Sequence, residues 1–231
     1  GTNSHPQTFS VQVPAGAKVG KTMARVRVHA VPTPATSCTP LPAYGYGGVG
    51  EVEDLEVTVS CYAADGWVDD GEGICRRFEF GDAGKMTDPL GTDSYGTKLP
   101  NGARHVFDPG GPRLGDSLTY ETDGKPSALA NLDSEDNGVA TLPTFPRGKA
   151  TVSFAVTTEA SFSTHYTIKT WVDFDRDGEC ESDELFAAVD ASGTHTDANP
   201  ITVSGPVPAG ASLGATAMRV RVARNMSGIG P

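Results

Sequence analysis

The chain has 231 residues, and 18 Lys and Arg against 29 Asp and Glu give it a formal net charge of −11 at pH 7. This acidic balance argues against a nucleic-acid-binding protein, because neutralising phosphates requires clustered Lys and Arg. The 28 Gly and 17 Pro exclude a bundle of long helices, since both residues break helices. No apolar run approaches the roughly 20 residues of a membrane-spanning helix. Because the sequence begins with Gly1 rather than Met, we expect a processed or excised part of a longer protein.

Seven short segments alternate apolar and polar residues with a period of two, which is typical of half-buried β-strands. In chain order these predicted strands cover residues 9–13, 24–28, 55–59, 151–157, 166–172, 201–203 and 218–222. Evidence for helix is confined to residues 181–189, which fit one or two helical turns or a strand. Short strands separated by Gly and Pro predict an all-β fold made of β-sandwich modules.

An internal repeat is the strongest sign of how the chain is organised. Residues 13–28 return as residues 207–222, an offset of 194, and 11 of the 16 positions are identical. One structural unit therefore occurs near both ends of the chain. Two interpretations stay open: two copies of a hairpin within one large sandwich, or two repeats cut out of register.

The segment Gly50-Glu-Val-Glu-Asp54, followed by the strand at 55–59, resembles the signature of the GEVED domain, a β-rich module of secreted and cell-surface bacterial proteins. In that family a strand ending in a W-x-D-F-D-x-D-G loop precedes an IPAGA…G…RMRVR hairpin and then the Gly-Glu-Val-Glu-Asp strand. The first two pieces are similar to residues 171–178 and 207–222, and the last two to residues 13–28 and 50–59. The sequence departs from the pattern at Leu55, where an aromatic residue is more usual, and after Val222, where the last strand is missing.

The resemblance covers roughly residues 8–61 and 149–224, and it divides the chain into three parts. Residues 1–62 correspond to the back part of one β module, and residues 149–231 to the front part of a second. Residues 63–148 form a loop-rich acidic spacer between them. The Gly, Pro and Asp of this spacer predict turns and coil around a small core, with a few short strands.

The strongest candidate for a binding site is the acidic segment at residues 173–184, which fits the pattern D-x-D-x-D-G with a Glu at position 12. Calcium takes six to eight hard oxygen ligands, and carboxylates at positions 1, 3 and 5 converge when Gly at position 6 permits a sharp turn. The predicted ligands are the side chains of Asp173, Asp175 and Asp177, the backbone carbonyl of Glu179 and the bidentate side chain of Glu184. The residues before this loop alternate as a strand, so we expect a calcium loop carried by a β-strand rather than an EF-hand. The alternative is a solvated acidic turn.

A second acidic loop repeats the spacing with Asp133, Glu135 and Asn137, and it is a weaker candidate for calcium. Its twelfth position holds no carboxylate, so Glu121 or Asp123 would have to supply the closing oxygen. The alternative is a surface turn rich in Asn and Asp.

Two further sequence patterns resemble binding motifs but are better explained as parts of β-strands and loops. Glu51, Glu53 and Asp54 form a third acidic cluster, but Glu51 and Glu53 share one face of a predicted strand, which favours a solvated face over a metal site. Residues 45–50 fit G-x-G-x-x-G, yet an acidic strand follows instead of the helix N-terminus that a dinucleotide site requires.

Four cysteines allow three complete pairings, and none has the C-x-x-C spacing of a zinc site. An acidic chain that resembles secreted proteins favours disulfides. Cys61 and Cys75 flank a short stretch rich in Gly and Asp, so we predict a bond between them. Cys38 and Cys180 would then remain, either bonded within or between chains or present as free or differently paired thiols.

No catalytic motif is recognisable from spacing. The five histidines are scattered, and the sequence contains neither an H-E-x-x-H pair nor a G-x-S-x-G elbow. A site assembled from distant loops would leave no such signal in one sequence. We therefore expect a protein that is not an enzyme.

The leading functional hypothesis is a non-enzymatic, extracellular structural or adhesive module, stabilised by calcium, from a surface fibre, sheath or adhesin. The alternative is an accessory binding domain of a secreted hydrolase, a protease or a glycanase. Because each module lacks one part, we expect self-association or pairing with neighbouring repeats by strand addition, head to tail. Packing of the two ends within one chain would instead bury Leu55 and Val57. No nucleic acid and no membrane span are expected.

Overall fold

The computed structural model describes residues 8, 10–14, 17–29, 43–45, 49–84, 95–127, 130, 132, 137–161, 164–224 and 230–231. Regular structure in these residues consists of strands and two short 3-10 turns, without an α-helix. The predicted all-β class is confirmed, and the sandwich arrangement stays a prediction.

Thirteen strands follow one another in the described part of the chain, and seven of them have five or more residues. They are β1 Gly20–His29, β2 Gly50–Val59, β3 Val68–Asp69, β4 Cys75–Arg76, β5 Phe78–Phe80, β6 Arg104–Val106, β7 Arg113–Leu114, β8 Val152–Val156, β9 Thr158–Glu159, β10 His165–Val172, β11 Leu185–Ser192, β12 Ile201–Gly205 and β13 Met218–Ala223. The two 3-10 turns are Ala63–Asp65 and Ser182–Glu184.

The chain divides into two compact units. The first comprises Gly1–Tyr62 and Val68–Cys75, and the second comprises Ala63–Trp67 and Arg76–Pro231. The second unit therefore includes both the loop-rich residues 76–148 and the strands from β8 to β13. Strands within residues 76–148 are only two or three residues long.

The first unit contains the hairpin of β1 and β2, which pair antiparallel from Gly20 opposite Val59 to His29 opposite Gly50. Residues directly opposite each other share a face, so Arg25 and Asp54 lie on one face, the charged face. Val26, Leu55 and Val57 lie on the other, the apolar face, which also carries Glu51 and Glu53 towards the end of the hairpin near His29. On the charged face Arg25 forms two hydrogen bonds with the Asp54 carboxylate, of 2.6 and 2.8 Å. A disulfide joins Cys61 to Cys75, which confirms the predicted pairing.

One strand prediction in the first unit is wrong. Residues 10–13, the described part of the segment predicted at 9–13, form no strand, and the Val11 side chain is 86% exposed. The segment alternates correctly, but no strand among the described residues pairs with it, and an alternating pattern alone supplies no hydrogen-bonding neighbour. The predictions at 24–28 and 55–59 are confirmed as parts of longer strands.

The second unit has one buried core cluster, to which two sheets contribute. Strands β11, β10 and β13 form a three-stranded sheet in that order, and β12 pairs with β8. Both sheets contribute to one buried cluster, formed by Phe154, Val156, Ala160, Tyr166, Ile168, Val172, Phe186, Ile201, Val203 and Val222. Burying each large aliphatic side chain contributes about 1.5–3 kcal/mol. The strands predicted at 151–157, 166–172, 201–203 and 218–222 all occur here, and the ambiguous residues 181–189 form a 3-10 turn followed by β11.

The two copies of the sequence repeat share a backbone conformation. Ala17 N–H donates to the Pro14 carbonyl, and at the offset of 194 Ala211 N–H donates to the Pro208 carbonyl. Gly20 has a φ of 125°, and its counterpart Gly214 has a φ of 124°. These values are strained for residues with a side chain, so the Gly shared by both copies is required at the start of β1 and in the turn before β13.

Candidate metal centre

The acidic loop after β10 brings three carboxylates together. Asp173, Asp175 and Asp177 each place one oxygen within 4.8 Å of the others. Asp173 is completely buried, whereas Asp175 and Asp177 are exposed. Just before this loop, the ladder of β10 with β11 shifts register between Thr170 and Trp171, and such bulges commonly redirect the chain beside a site.

Backbone N–H groups fix the carboxylates within the loop. Asp177 N–H donates to Asp175 Oδ1 at 3.1 Å, and Glu179 N–H donates to Asp177 Oδ1 at 2.8 Å. Arg176 and Gly178 have positive φ values of 66° and 99°, which fold the chain back on itself. The Gly at position 6 of the pattern therefore performs the turn that the sequence predicts.

Tyr95 holds the buried carboxylate from outside the loop. Its hydroxyl donates to Asp173 Oδ2 at 2.7 Å, and its N–H donates to the Gly178 carbonyl at 2.9 Å. Burial, together with the hydrogen bond to Asp173, raises the pKa of Tyr95 well above its usual range. Sequence reasoning missed Tyr95, since it lies 78 residues from Asp173 and belongs to no motif.

The second copy of the repeat packs directly against the acidic loop. The Arg176 guanidinium donates to the carbonyls of Leu213 and Ala215 at 2.8 and 2.9 Å. Ser212 N–H donates to the Phe174 carbonyl at 2.7 Å, and the Thr216 hydroxyl donates to the carbonyl of Asp173. The acidic loop and the second copy of the repeat therefore satisfy polar groups of each other.

Glu184 lies apart from the three aspartates. Its carboxylate accepts hydrogen bonds from Phe174 N–H at 2.6 Å and from Glu181 N–H at 3.3 Å, closing a capping box over the 3-10 turn. Glu179 is exposed. A hydrogen bond with Glu184, followed by burial and the charge of Asp177, raises the pKa of Glu181 to about 7. The structure therefore groups three of the five predicted ligands and uses Glu184 to brace the loop.

The donor set defines which ions the loop suits. Three carboxylates are hard, negatively charged oxygen donors, the type that Ca²⁺ and Mg²⁺ prefer over the nitrogen and sulfur ligands favoured by zinc. Cys180 lies beside them, but burial raises the pKa of its thiol to about 12, so it remains protonated. Cys180 forms no disulfide with any described residue, and Cys38 lies outside the described residues.

The second predicted loop is described only in part. Asp133 and Glu135 lie outside the described residues, and Asn137 binds the backbone N–H of Asp116 through its Oδ1 at 3.3 Å. Asp123, one of the two suggested closing ligands, accepts from Leu99 N–H at 2.8 Å. Glu121, the other, accepts from the Thr119 hydroxyl at 2.9 Å. These side chains hold loops together.

The third acidic cluster is part of the hairpin. Asp54 is paired with Arg25, whose hydrogen bond holds the pKa of the Asp54 carboxyl below its usual value. Glu51 and Glu53 are exposed on the other face of β2. Gly50 begins β2, so a strand follows the glycine-rich segment 45–50, as the sequence predicts.

One group of serine, histidine and aspartate side chains lies on a single sheet face. His165 is opposite Ser192, and Thr167 is opposite Asp190, at the end of the β10 and β11 ladder. The Asp190 carboxylate accepts from the Thr167 hydroxyl at 2.6 Å. No hydrogen bond links His165 to Ser192 or Asp190 within the described part of the chain, so the group lacks the contacts of a catalytic triad.

Comparison with known proteins adds one match. The sequence model of the GEVED domain family matches residues 167–231, which include the acidic loop and the second copy of the repeat. No curated protein and no solved structure matches the chain. Among the described residues, no helix has the length and apolar character needed to cross a bilayer. Residues 167–231 therefore form a GEVED-like module within an all-β chain.

Proposed function

We propose that this protein is a calcium-stabilised, non-enzymatic structural or adhesive module of an extracellular surface assembly. The GEVED-like module supplies the β-rich framework, and calcium binds the acidic loop after β10. The observation that carries the proposal is the convergence of Asp173, Asp175 and Asp177 in a D-x-D-x-D-G loop that follows β10.

Electrostatics supports a cation at this position. Three carboxylates within 4.8 Å repel one another, and Asp173 is completely buried, where an uncompensated charge is costly. Backbone N–H groups and Tyr95 offset part of that cost at Asp173. A divalent ion would bind the remaining carboxylate oxygens, with Glu179 and Glu184 as further oxygen sources after a small change of the loop.

The extracellular and non-enzymatic parts of the proposal have separate support. The disulfide between Cys61 and Cys75 is typical of proteins that fold in oxidising compartments. The exposed group of His165, Ser192 and Asp190 lacks the hydrogen bonds that activate a nucleophile, as far as the described residues extend. Binding and assembly are therefore the functions we propose.

Assembly would proceed through the hairpin of the first unit. On its apolar face Val26, Leu55 and Val57 are 45%, 46% and 37% exposed. An isolated two-stranded hairpin is at best marginally stable in water, so a further strand or sheet is expected to cover it. Self-association or pairing with a neighbouring repeat, head to tail, would supply that cover.

Thermal unfolding in calcium and in EDTA tests the calcium proposal. A ligand at about 100 times its Kd stabilises a protein by about 2.7 kcal/mol, which corresponds to a rise in Tm of about 5–10 °C for a chain of this size. Asp175→Ala is expected to abolish the difference, whereas Asp183→Ala, an exposed acidic control outside the cluster, is expected to keep it. Identical melting curves in calcium and EDTA would reject the proposal. Mass mapping of unreduced peptides from natively produced protein tests the compartment: free Cys61 and Cys75 would argue against secretion.

A further inference from the structure

The two copies of the repeat share a turn hydrogen bond and the φ of their glycine, but they have different surroundings. In the second copy, the turn before β13 is covered by the acidic loop, and β13 pairs with β10. In the first copy, β1 pairs with β2 and with no other described strand. This difference identifies what the first copy is built to contact, because residues shared by two copies can make the same contacts.

The second copy shows those contacts in detail. The Arg176 guanidinium lies over Gly214, where its Nη1 would be 2.8 Å from a Cβ, and donates to the carbonyls on either side of that glycine. The Thr216 hydroxyl and the Ala217 carbonyl both bond to the backbone of Asp173. Gly214 is thus required twice, for its φ and for the space that Arg176 occupies.

The first copy keeps the same groups and exposes them. Gly20 and Thr22 correspond to Gly214 and Thr216, and no described atom lies within 4 Å of a Cβ built on Gly20. Thr22 is exposed, and Met23 is 62% exposed. The neighbouring Val19 N–H donates to the Gly73 carbonyl at 2.9 Å.

On the apolar face, too, residues that are covered in the second copy are exposed in the first. Val26 and Val28 correspond to Val220 and Val222, which pack in the core cluster with β8, β10 and β12. In the first copy the two valines are 45% and 65% exposed. Most of what covers the second copy on this face and at this edge comes from residues 149–206, and Leu114, Val139 and Phe145 also pack against the core cluster.

We propose that the β1–β2 hairpin binds a segment with the chemistry of residues 149–206. A strand of the β10 type would pair with the free edge of β1, and its acidic loop would place a basic residue over Gly20. A β8–β12 type pair would cover Val26, Leu55 and Val57. This inference rests on the proposed assembly and names the partner that the hairpin accepts.

A fused chain tests the inference directly. A copy of residues 149–206 is joined to Val13 of the otherwise complete chain, reproducing the direct connection of Pro206 to Val207 in the second copy. Hydrogen exchange of peptides covering residues 13–29 and 50–62 is followed by mass spectrometry in the fused chain and in residues 13–231 alone. We expect the fused segment to slow exchange in both hairpin strands about tenfold or more. A control chain carries Ile168→Asp in the added segment only, at a position that is completely buried in the core, and this segment is expected to give no protection.

The outcomes separate this inference from the calcium proposal. Unchanged hairpin exchange in the fused chain overturns the inference, even if calcium binds the loop at residues 173–177. Protection that persists in EDTA supports the inference even if calcium binding fails. If residues 13–231 alone protect the hairpin in a concentration-dependent manner and the fused segment adds no protection, the hairpin binds another surface of a second copy, and the inference is also overturned.

Discussion

The Tyr95 hydroxyl donates a 2.7 Å hydrogen bond to Oδ2 of Asp173, across 78 residues of sequence. Tyr95 also binds the Gly178 carbonyl through its own N–H, so one residue contacts both the first ligand and the turn of the acidic loop. Mutation of a residue that orients a metal ligand commonly lowers metal affinity by about tenfold to a hundredfold. Tyr95 is therefore the positioning residue of the proposed calcium site.

Replacing Tyr95 by Phe removes only the hydroxyl. We expect calcium affinity to fall about tenfold, because the Asp173 carboxylate loses the donor that fixes its orientation. In EDTA the free energy of unfolding should fall by about 1–2 kcal/mol, since a buried hydrogen bond to a charged group is lost. Calorimetry and urea unfolding measure the two effects. Tyr62→Phe, at a side chain that is 67% exposed, is the matched control, and equal behaviour of the two variants would contradict the assignment.

Arg176 connects the acidic loop to the repeat through two backbone carbonyls. We expect Arg176→Gln to lower the free energy of unfolding by about 1–2 kcal/mol, because two charge-assisted hydrogen bonds are lost. Arg147→Gln removes an exposed arginine from the same unit and should change stability by less than about 0.5 kcal/mol. Urea unfolding of both variants compares them, and an equal loss of stability would show that the carbonyl contacts contribute nothing.

His105 predicts how stability depends on pH. Burial, followed by the charge of Arg221, lowers the pKa of His105 from 6.5 to about 4, and its Nε2 accepts a 3.0 Å hydrogen bond from Arg221 Nε. Between these pH values the unfolded chain binds a proton that the folded chain excludes. The contribution of neutral His105 to the free energy of unfolding is therefore complete above about pH 6.5. It decreases as the pH drops towards 4, by at most about 3 kcal/mol.

The variant His105→Gln isolates this contribution from that of the carboxylates. Its urea midpoint should change less than that of the unaltered protein between pH 7 and pH 4.5. Parallel pH profiles for the two proteins would contradict the assignment of the low pKa to His105.

Gly115 has a φ of 65°, and a Cβ at this position would overlap with Oδ1 of Asn137. We expect Gly115→Ala to cost about 2–4 kcal/mol, because it adds a steric clash to backbone strain. Gly96 also has a positive φ, of 52°, but no described atom lies within 4 Å of its Cβ position. Gly96→Ala should therefore cost only about 1 kcal/mol. A Tm for Gly115→Ala equal to that of Gly96→Ala would show that the Asn137 contact is absent.

Local patterns in the sequence predict six of the seven described strands with five or more residues, and they predict the position of the acidic loop. Alternation identifies β8, β10, β12 and β13, because each has one face on the core. The same alternation fails at residues 10–13, since the pattern carries no information about a pairing partner.

Within the site, the sequence predicts the convergence of Asp173, Asp175 and Asp177, because their spacing and Gly178 form a local turn. Two features depend on tertiary structure and are missed: Tyr95, which is distant in sequence, and the use of Glu184 as a backbone cap. Trp67-Val-Asp69 also repeats Trp171-Val-Asp173, a signal available in the sequence but unused. In the structure Asp69 accepts from the N–H groups of Gly71 and Gly73, so this shorter loop is closed by its own backbone.

Calorimetric titration of the metal-free chain with calcium is the most direct test of the calcium site. We predict binding of one calcium ion per chain, loss of that binding in Asp177→Asn, and its retention in Asp183→Asn. Asparagine preserves the shape of the side chain and removes its charge, so the comparison isolates the carboxylate. The absence of binding heat, together with an unchanged melting temperature in calcium, would contradict the proposed role of Asp173, Asp175 and Asp177.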